Sequence, residues 1–324
     1  MFHAGLPPLC AHNFASERAA AVTPETDGWA FAFSPRSPGG RGDRDLTFEA
    51  TRALVGSPPG RRGRHSISSR GGLPRVYYRD SPMTHAEQTH TVRTADALEL
   101  VGKVWHPAPS HTHDGQPKGT VCLIHGFGEH VERYHHVADR MNAAGYLVAG
   151  VDLRGHGKSA GRRGYTPSID QLLDDVVAVK ASVRALAPAA PLFLYGHSMG
   201  GNIGLNFLLR RTPTLTGAII TSPWLRLTKP PGAALAGVVK LLNTIAPKIP
   251  VPNKLEKGGL SRDPDVEAKY NADPLVHGLV TPRLFTEIRD AGEWAISNAG
   301  KLAVPTLLFH GEADPITSCE GSAA

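Results

Sequence analysis

The chain has 324 residues, 41% of them hydrophobic and 20% charged, which suits one large domain or two small ones and excludes a wholly disordered chain. The net charge of +6 is small, and no Lys/Arg block is interleaved with aromatic residues, so nucleic acid is not an expected partner. No stretch approaches the ~18 to 20 uninterrupted apolar residues of a membrane span. The three cysteines, Cys10, Cys122 and Cys319, are too scattered for a disulfide framework or a zinc site. A reducing, cytoplasmic setting with no metal or organic cofactor is the expectation.

Residues 1–85 differ in character from the rest. They carry Ser-Pro-Arg-Ser-Pro-Gly-Gly-Arg-Gly at 34–42 and Gly-Ser-Pro-Pro-Gly-Arg-Arg-Gly-Arg at 56–64. Apolar residues there keep no period of 2 or 3.6, so a disordered extension is expected. No apolar segment follows a basic start, which argues against a secretory signal. Acidic residues such as Glu17, Glu25 and Asp27 do not suit a transit peptide.

From residue 86 onward strands and helices alternate. Thr91 to His106 reads as two short strands, and Thr120–His125 as an apolar strand ending at Gly126. Tyr134, Val137, Ala138 and Met141 mark a helix that Gly145 stops. Tyr146–Val151 is the next strand, and the stripe from Ile169 to Leu186 the next helix. Leu192–Tyr195 leads into a helix over Met199–Arg210. Leu215–Thr221 and Val304–His310 are further strands. Continuous apolar strands alternating with helices predict an α/β fold with a mostly parallel, doubly wound sheet. Between Pro223 and about Arg283 the alternation breaks. An apolar helix from Ala234 to Ile245, bracketed by Pro230, Pro231, Pro247, Pro250 and Pro252, predicts a cap over one end of the sheet.

The chemical signal is Gly196-His197-Ser198-Met199-Gly200. Gly-x-Ser-x-Gly is weak by frequency alone. Here it follows an apolar strand and opens a helix, the setting a nucleophile elbow requires. Ser198 is the candidate nucleophile. The oxyanion formed on attack needs backbone donors. The N–H of Met199 and the N–H of Phe127, in the glycine-flanked loop after the Thr120 strand, are the candidates. His125 and His197 read as structural.

These motifs, with Asp-Leu-Arg-Gly-His-Gly-Lys-Ser (152–159) and His-Gly-Glu-Ala-Asp-Pro-Ile (310–316), resemble the monoacylglycerol lipase and lysophospholipase group of α/β-hydrolases, which carry the serine aminopeptidase S33-type domain. The resemblance implies an eight-stranded α/β-hydrolase sheet with a cap over 223–283. It implies a serine hydrolase that cleaves long-chain acyl esters, monoacylglycerol or lysophospholipid, through acyl-Ser198. It also implies Asp314 as the acid of the triad, a small lipid ester as partner, and peripheral contact with a membrane or lipid droplet.

The chain departs from the pattern at its end. The family's histidine follows the acid by about 25 to 35 residues, yet His310 is the last histidine here and precedes Asp314. A triad without its histidine loses about 10⁶ in kcat. A hydrolase domain lacking its last strand and helix, inactive or non-catalytic, is therefore the alternative expectation. In that reading Val304–His310 becomes an exposed edge, and the closing Ser-Cys-Glu-Gly-Ser-Ala-Ala does not start a helix. His310 as a substitute base is a minor alternative.

Overall fold

A computed structural model describes the backbone of residues 10–14 and residues 86–253 and 259–324. Strand β1 (Cys10–Phe14) stands apart in sequence from the rest. A hairpin follows from β2 (Ala86–Arg93) and β3 (Glu99–His106), then β4 (Gly119–Ile124). Helix α1 (His135–Ala143) leads to β5 (Tyr146–Val151), α2 (Ile169–Leu186), β6 (Leu192–His197), α3 (Met199–Arg211) and β7 (Gly217–Thr221). The insertion holds α4 (Ala233–Ile245), β8 (Val251–Pro252), α5 (Pro264–Ala272) and β9 (Leu279–Val280). Helix α6 (Pro282–Ser297), β10 (Thr306–His310) and α7 (Cys319–Ala323) complete the chain.

The eight strands of the main sheet lie in the order β1-β10-β7-β6-β4-β5-β3-β2. From β10 to β5 neighbours run parallel, while β3, β2 and β1 are antiparallel to theirs. Every residue of β4 is buried. Helices on both faces account for this, since each parallel crossover lays a helix on the sheet. On one face Leu172, Val176, Ile203 and Phe207 join Leu194 and Ile124 in the main core. On the other, Val131, Tyr134 and Ala138 close over Val121, Leu123 and Val148. After β4 the chain moves outward to β5, then returns to place β6 on the other side of β4. Ligands of open α/β sheets bind where the order reverses in this way, beyond the strands' carboxyl ends.

Three expectations need correction. The edge of β10 is paired: β1 runs antiparallel along it, with Cys10 opposite His310 and Phe14 opposite Thr306. An open row of N–H and C=O groups favours a partner strand, and the chain's own early segment supplies it. The rest of the extension expected to be disordered over 1–85 lies outside the described residues. The closing segment does form a helix, because the Ser318 side chain accepts the Gly321 N–H at 3.2 Å as an N-cap. Helix α6 was not foreseen, although Thr281 caps it and Pro282 opens it.

Candidate active site

Ser198 sits between β6 and α3 with φ 52° and ψ −117°. Such a left-handed conformation costs a non-glycine residue about 1–3 kcal/mol. The surroundings enforce it. The Ser198 N–H donates to the Thr221 carbonyl at 3.0 Å, and its carbonyl accepts from Asn202 and Trp224 at 3.0 and 2.9 Å. The flanking glycines are needed for close approach. A Cβ on Gly196 would lie 2.6 Å from the Gly200 carbonyl oxygen, and one on Gly200 would collide with the Ile124 and His125 carbonyls. The serine side chain is only partly buried.

The loop after β4 lies beside this elbow. A Cβ on Gly126 would stand 3.2 Å from the Ser198 Cβ. The Gly126 N–H donates to Glu129 Oε1 at 2.7 Å. Among the described residues the Phe127 N–H has no acceptor. Met199 opens α3, and the first N–H groups of a helix lack intrahelical acceptors. Both expected oxyanion donors are therefore backbone N–H groups close to Ser198 in the chain or in space.

The two expected structural histidines are engaged elsewhere. His125 donates through Nδ1 to the Gly126 carbonyl at 2.8 Å and accepts the Leu153 N–H through Nε2 at 2.8 Å. His197 borders the cavity described below, with Nδ1 held at 2.8 Å from Thr221 Oγ1. Among the described residues no imidazole is hydrogen-bonded to the Ser198 hydroxyl.

Asp314 lies in the loop after β10. Its Oδ1 accepts the N–H groups of Ile316 and Thr317 at 2.8 and 2.9 Å, and Oδ2 accepts the Thr317 hydroxyl at 2.9 Å. Burial pushes the carboxyl up, but these hydrogen bonds and one from His310 hold it down at about 2. His310 itself is 1% exposed and faces Thr317 and Ser322. It does not border the cavity, so it is no substitute base for Ser198.

A cavity of about 510 Å³ brings the serine and the acid together, bordered by Ser198, Asp314, Phe127, Trp224, Leu235 and Leu242. The last two come from α4, which thus roofs the sheet end. The cap is fastened to the loop after β4: the His277 N–H donates to the Gly128 carbonyl at 2.8 Å, and His130 Nε2 lies 2.8 Å from Asp273 Oδ2. The Phe127 ring packs edge-on against His156, His277 and Trp224.

Two residues of the site were not singled out by sequence reasoning. Glu129 stands two residues after Phe127 in the loop after β4, where its role as acceptor for Gly126 has no local signature. Trp224 reaches Ser198 only through the turn after β7, a long-range contact that no spacing announces. Among the described residues no group of three or more His, Cys, Asp or Glu side chains is arranged to hold a metal, and no helix is long and apolar enough to cross a membrane.

Residues 115–324 match the family described as serine aminopeptidase, S33. The monoacylglycerol lipase of Mycolicibacterium smegmatis is 34% identical over 234 residues, 72% of this chain and 81% of that protein. The monoglyceride lipase of Rattus norvegicus is 32% identical over 250 residues, 76% and 77% of the two chains. The crystal structure of Paleococcus ferrophilus monoacylglycerol lipase superposes with a TM-score of 0.61 at 32% identity, covering 69% of this chain and 82% of the other. By these matches the chain belongs to the serine aminopeptidase S33 family of α/β-hydrolases.

Proposed function

We propose that this chain is a serine hydrolase of the monoacylglycerol lipase type, acting on esters of long acyl chains such as monoacylglycerol or lysophospholipid. The observation that carries the reading is Ser198, held in a strained elbow at the mouth of a cavity that Asp314 also borders and an apolar cap roofs. In the proposed reaction Ser198 Oγ attacks the ester carbonyl. The Phe127 and Met199 N–H groups receive the oxyanion, and the alcohol leaves with a proton. Water then releases the fatty acid from acyl-Ser198. The step needs an imidazole base to take the serine proton, which none of the described residues is placed to supply, and Asp314 would orient and support its cation. The named activities of the similar proteins support this substrate class.

The cap supports the finer proposal of peripheral contact with a membrane or lipid droplet. Leu241, Ile245 and Ile249 are 59%, 68% and 57% exposed on and just after α4, next to the residues that line the cavity. Apolar side chains arrayed on one face of such a helix suit an interface.

The test is covalent labelling with alkyl fluorophosphonates. Labelling at Ser198, lost in Ser198→Ala and faster as the alkyl chain lengthens, is the expected result. Labelling that ignores chain length would remove the long-chain substrate class, and labelling that survives Ser198→Ala would remove the nucleophile.

A further inference from the structure

His310 closes β10 with its side chain on the inner side, together with Thr306 and Leu308, while Leu307 and Phe309 are exposed. Its Nε2 lies 3.0 Å from the Thr317 carbonyl oxygen, 3.3 Å from Thr317 Oγ1 and 3.5 Å from Asp314 Oδ2. A carbonyl and a carboxylate only accept, so Nε2 carries the ring proton. Nδ1 is then the acceptor for the Ser322 hydroxyl at 2.6 Å. The Thr317 hydroxyl is spent on Asp314 Oδ2 at 2.9 Å, which leaves its lone pairs toward Nε2–H. The carboxylate is thus hung on the N–H and hydroxyl groups of its own loop. Thr228, which donates to the Asp314 and Ile316 carbonyls, holds the backbone of that loop, and the His310 imidazole is the side chain that reaches both Thr317 and Asp314 Oδ2.

We propose that His310 is the positioning residue for Asp314. Its Nε2–H grips Thr317 and faces Asp314 Oδ2, which fixes the carboxylate in its orientation at the cavity. Its Nδ1 fastens the same ring to Ser322 in α7. The side chain acts on the site only through Asp314, since it neither borders the cavity nor approaches Ser198. The inference rests on the reading of Asp314 as the triad acid.

Two measurements on the full chain test it. Nitrogen-15 spectra of the imidazoles should show His310 as the Nε2–H tautomer, and the Nδ1–H tautomer would overturn the proposal. Carbon-13 titration of the Asp314 carboxyl, assigned by its loss in Asp314→Asn, is then compared in two variants. His310→Gln keeps a donor near the Nε2 position, and the carboxyl should stay near its native value of about 2. His310→Asn keeps a partner for Ser322 but withdraws that donor, and the carboxyl should rise toward the ordinary aspartate value of about 3.9. An unchanged titration in a folded His310→Asn protein would reduce His310 to a packing residue of α7 and refute the proposal. Should the variants fail to fold, the tautomer in the native protein decides. The acid reading fails separately: Ser198 labelling in the presence of added imidazole that is indifferent to Asp314→Asn would sink it without touching the His310 result.

Discussion

Glu129 Oε1 accepts the Gly126 N–H at 2.7 Å and the Tyr134 hydroxyl at 2.6 Å. One carboxylate oxygen thereby fixes the loop that carries Phe127, whose N–H is the proposed oxyanion donor. Burial and the nearby Glu129 charge raise the Tyr134 hydroxyl well above its ordinary value, so it stays a donor. Glu129→Ala should leave the buried Gly126 N–H without an acceptor, at a cost of about 1–3 kcal/mol. Labelling of Ser198 should slow by roughly tenfold or more, because removal of an oxyanion donor typically costs about 10² to 10³. Glu129→Gln, which keeps one acceptor oxygen, should recover most of the stability. Phosphonylation rates and urea midpoints check both halves.

The strain at Ser198 gives a stability prediction independent of catalysis. Alanine at this position keeps the Cβ and hence the cost of φ 52°, whereas glycine adopts it freely. Ser198→Gly should therefore be more stable than Ser198→Ala, by about 1 kcal/mol after the wider freedom of glycine in the unfolded chain is subtracted. Thermal midpoints should differ by about 2–4 °C. Equal midpoints would show that the elbow is not strained.

Arg154 and Asp175 form a buried pair. The Arg154 Nε and Nη2 atoms meet the two oxygens of Asp175 at 2.5 and 2.6 Å, and the same guanidinium reaches Asp96 at 3.2 Å. Two carboxylates hold the guanidinium above its ordinary value despite its burial. For Asp175 burial outweighs the pairing and raises the carboxyl, yet two short charge-assisted bonds keep it the natural counter-ion of Arg154. Asp175→Asn should cost up to about 3–5 kcal/mol, since the buried arginine keeps only the partly exposed Asp96 as a charge partner. Chemical denaturation reads this loss.

Much of this arrangement was legible in the sequence, and the reasons are physical. The elbow could be read because strand, glycines, serine and helix are contiguous, so local sterics alone specify it. The strands β4 and β5 could be read because burial on both faces makes them continuous apolar runs, and β6 and β7 because their apolar runs lie between helical stretches. The pairing of β1 with β10 could not, because a five-residue segment far from its partner carries no local signature of register. Helix α6 lay hidden because Thr281 and Pro282 fall at the end of the expected cap, while its buried positions Leu284, Ile288 and Ala291, interspersed with charges, lie beyond it. The tie between His310 and Asp314 depends on a tight turn that returns Thr317 to the strand end. Spacing alone placed His310 before the acid, where the task it offered was that of a substitute base.

Acid should loosen the roof of the site before it disturbs the acid loop. Burial lowers the imidazoles of His125, His156 and His277, the last to about 4 with Arg163 contributing, while Asp152 and Glu129 oppose the shift at His125. A histidine lowered on folding takes up its proton more readily in the unfolded chain. Its contribution is complete above the unfolded value of about 6.5 and is lost as pH falls toward about 4 for His277. Asp314, lowered to about 2, keeps its contribution above the ordinary aspartate value and loses it only below that. Stability followed against pH should fall first between about 6.5 and 4, and His277→Gln should flatten that part of the curve only.

Added imidazole should raise the rate of Ser198 phosphonylation in this chain. His197 is bound to Thr221, His125 to backbone groups and His310 to Thr317 and Ser322. A free base entering the 510 Å³ cavity meets both the serine and the acid. The gain should vanish in Ser198→Ala and shrink in Asp314→Asn. A rate independent of imidazole would mean that the serine proton already has an acceptor in the chain.

The cap separates two roles of apolar surface that lie within one helix. Leu235 and Leu242 border the cavity, whereas Leu241 and Ile245 are 59% and 68% exposed and do not. Leu242→Asp should slow labelling by long-chain phosphonates in free solution far more than by short ones, because each buried methylene contributes about 0.8 kcal/mol. Ile245→Asp should leave both solution rates unchanged and weaken the protein's binding to phospholipid vesicles. Measuring both variants in both assays distinguishes a lining from a landing face. If Leu242→Asp slowed short and long probes equally, the acyl chain would not lie beneath α4, and if Ile245→Asp left vesicle binding intact, the exposed face would have no part in reaching a lipid surface.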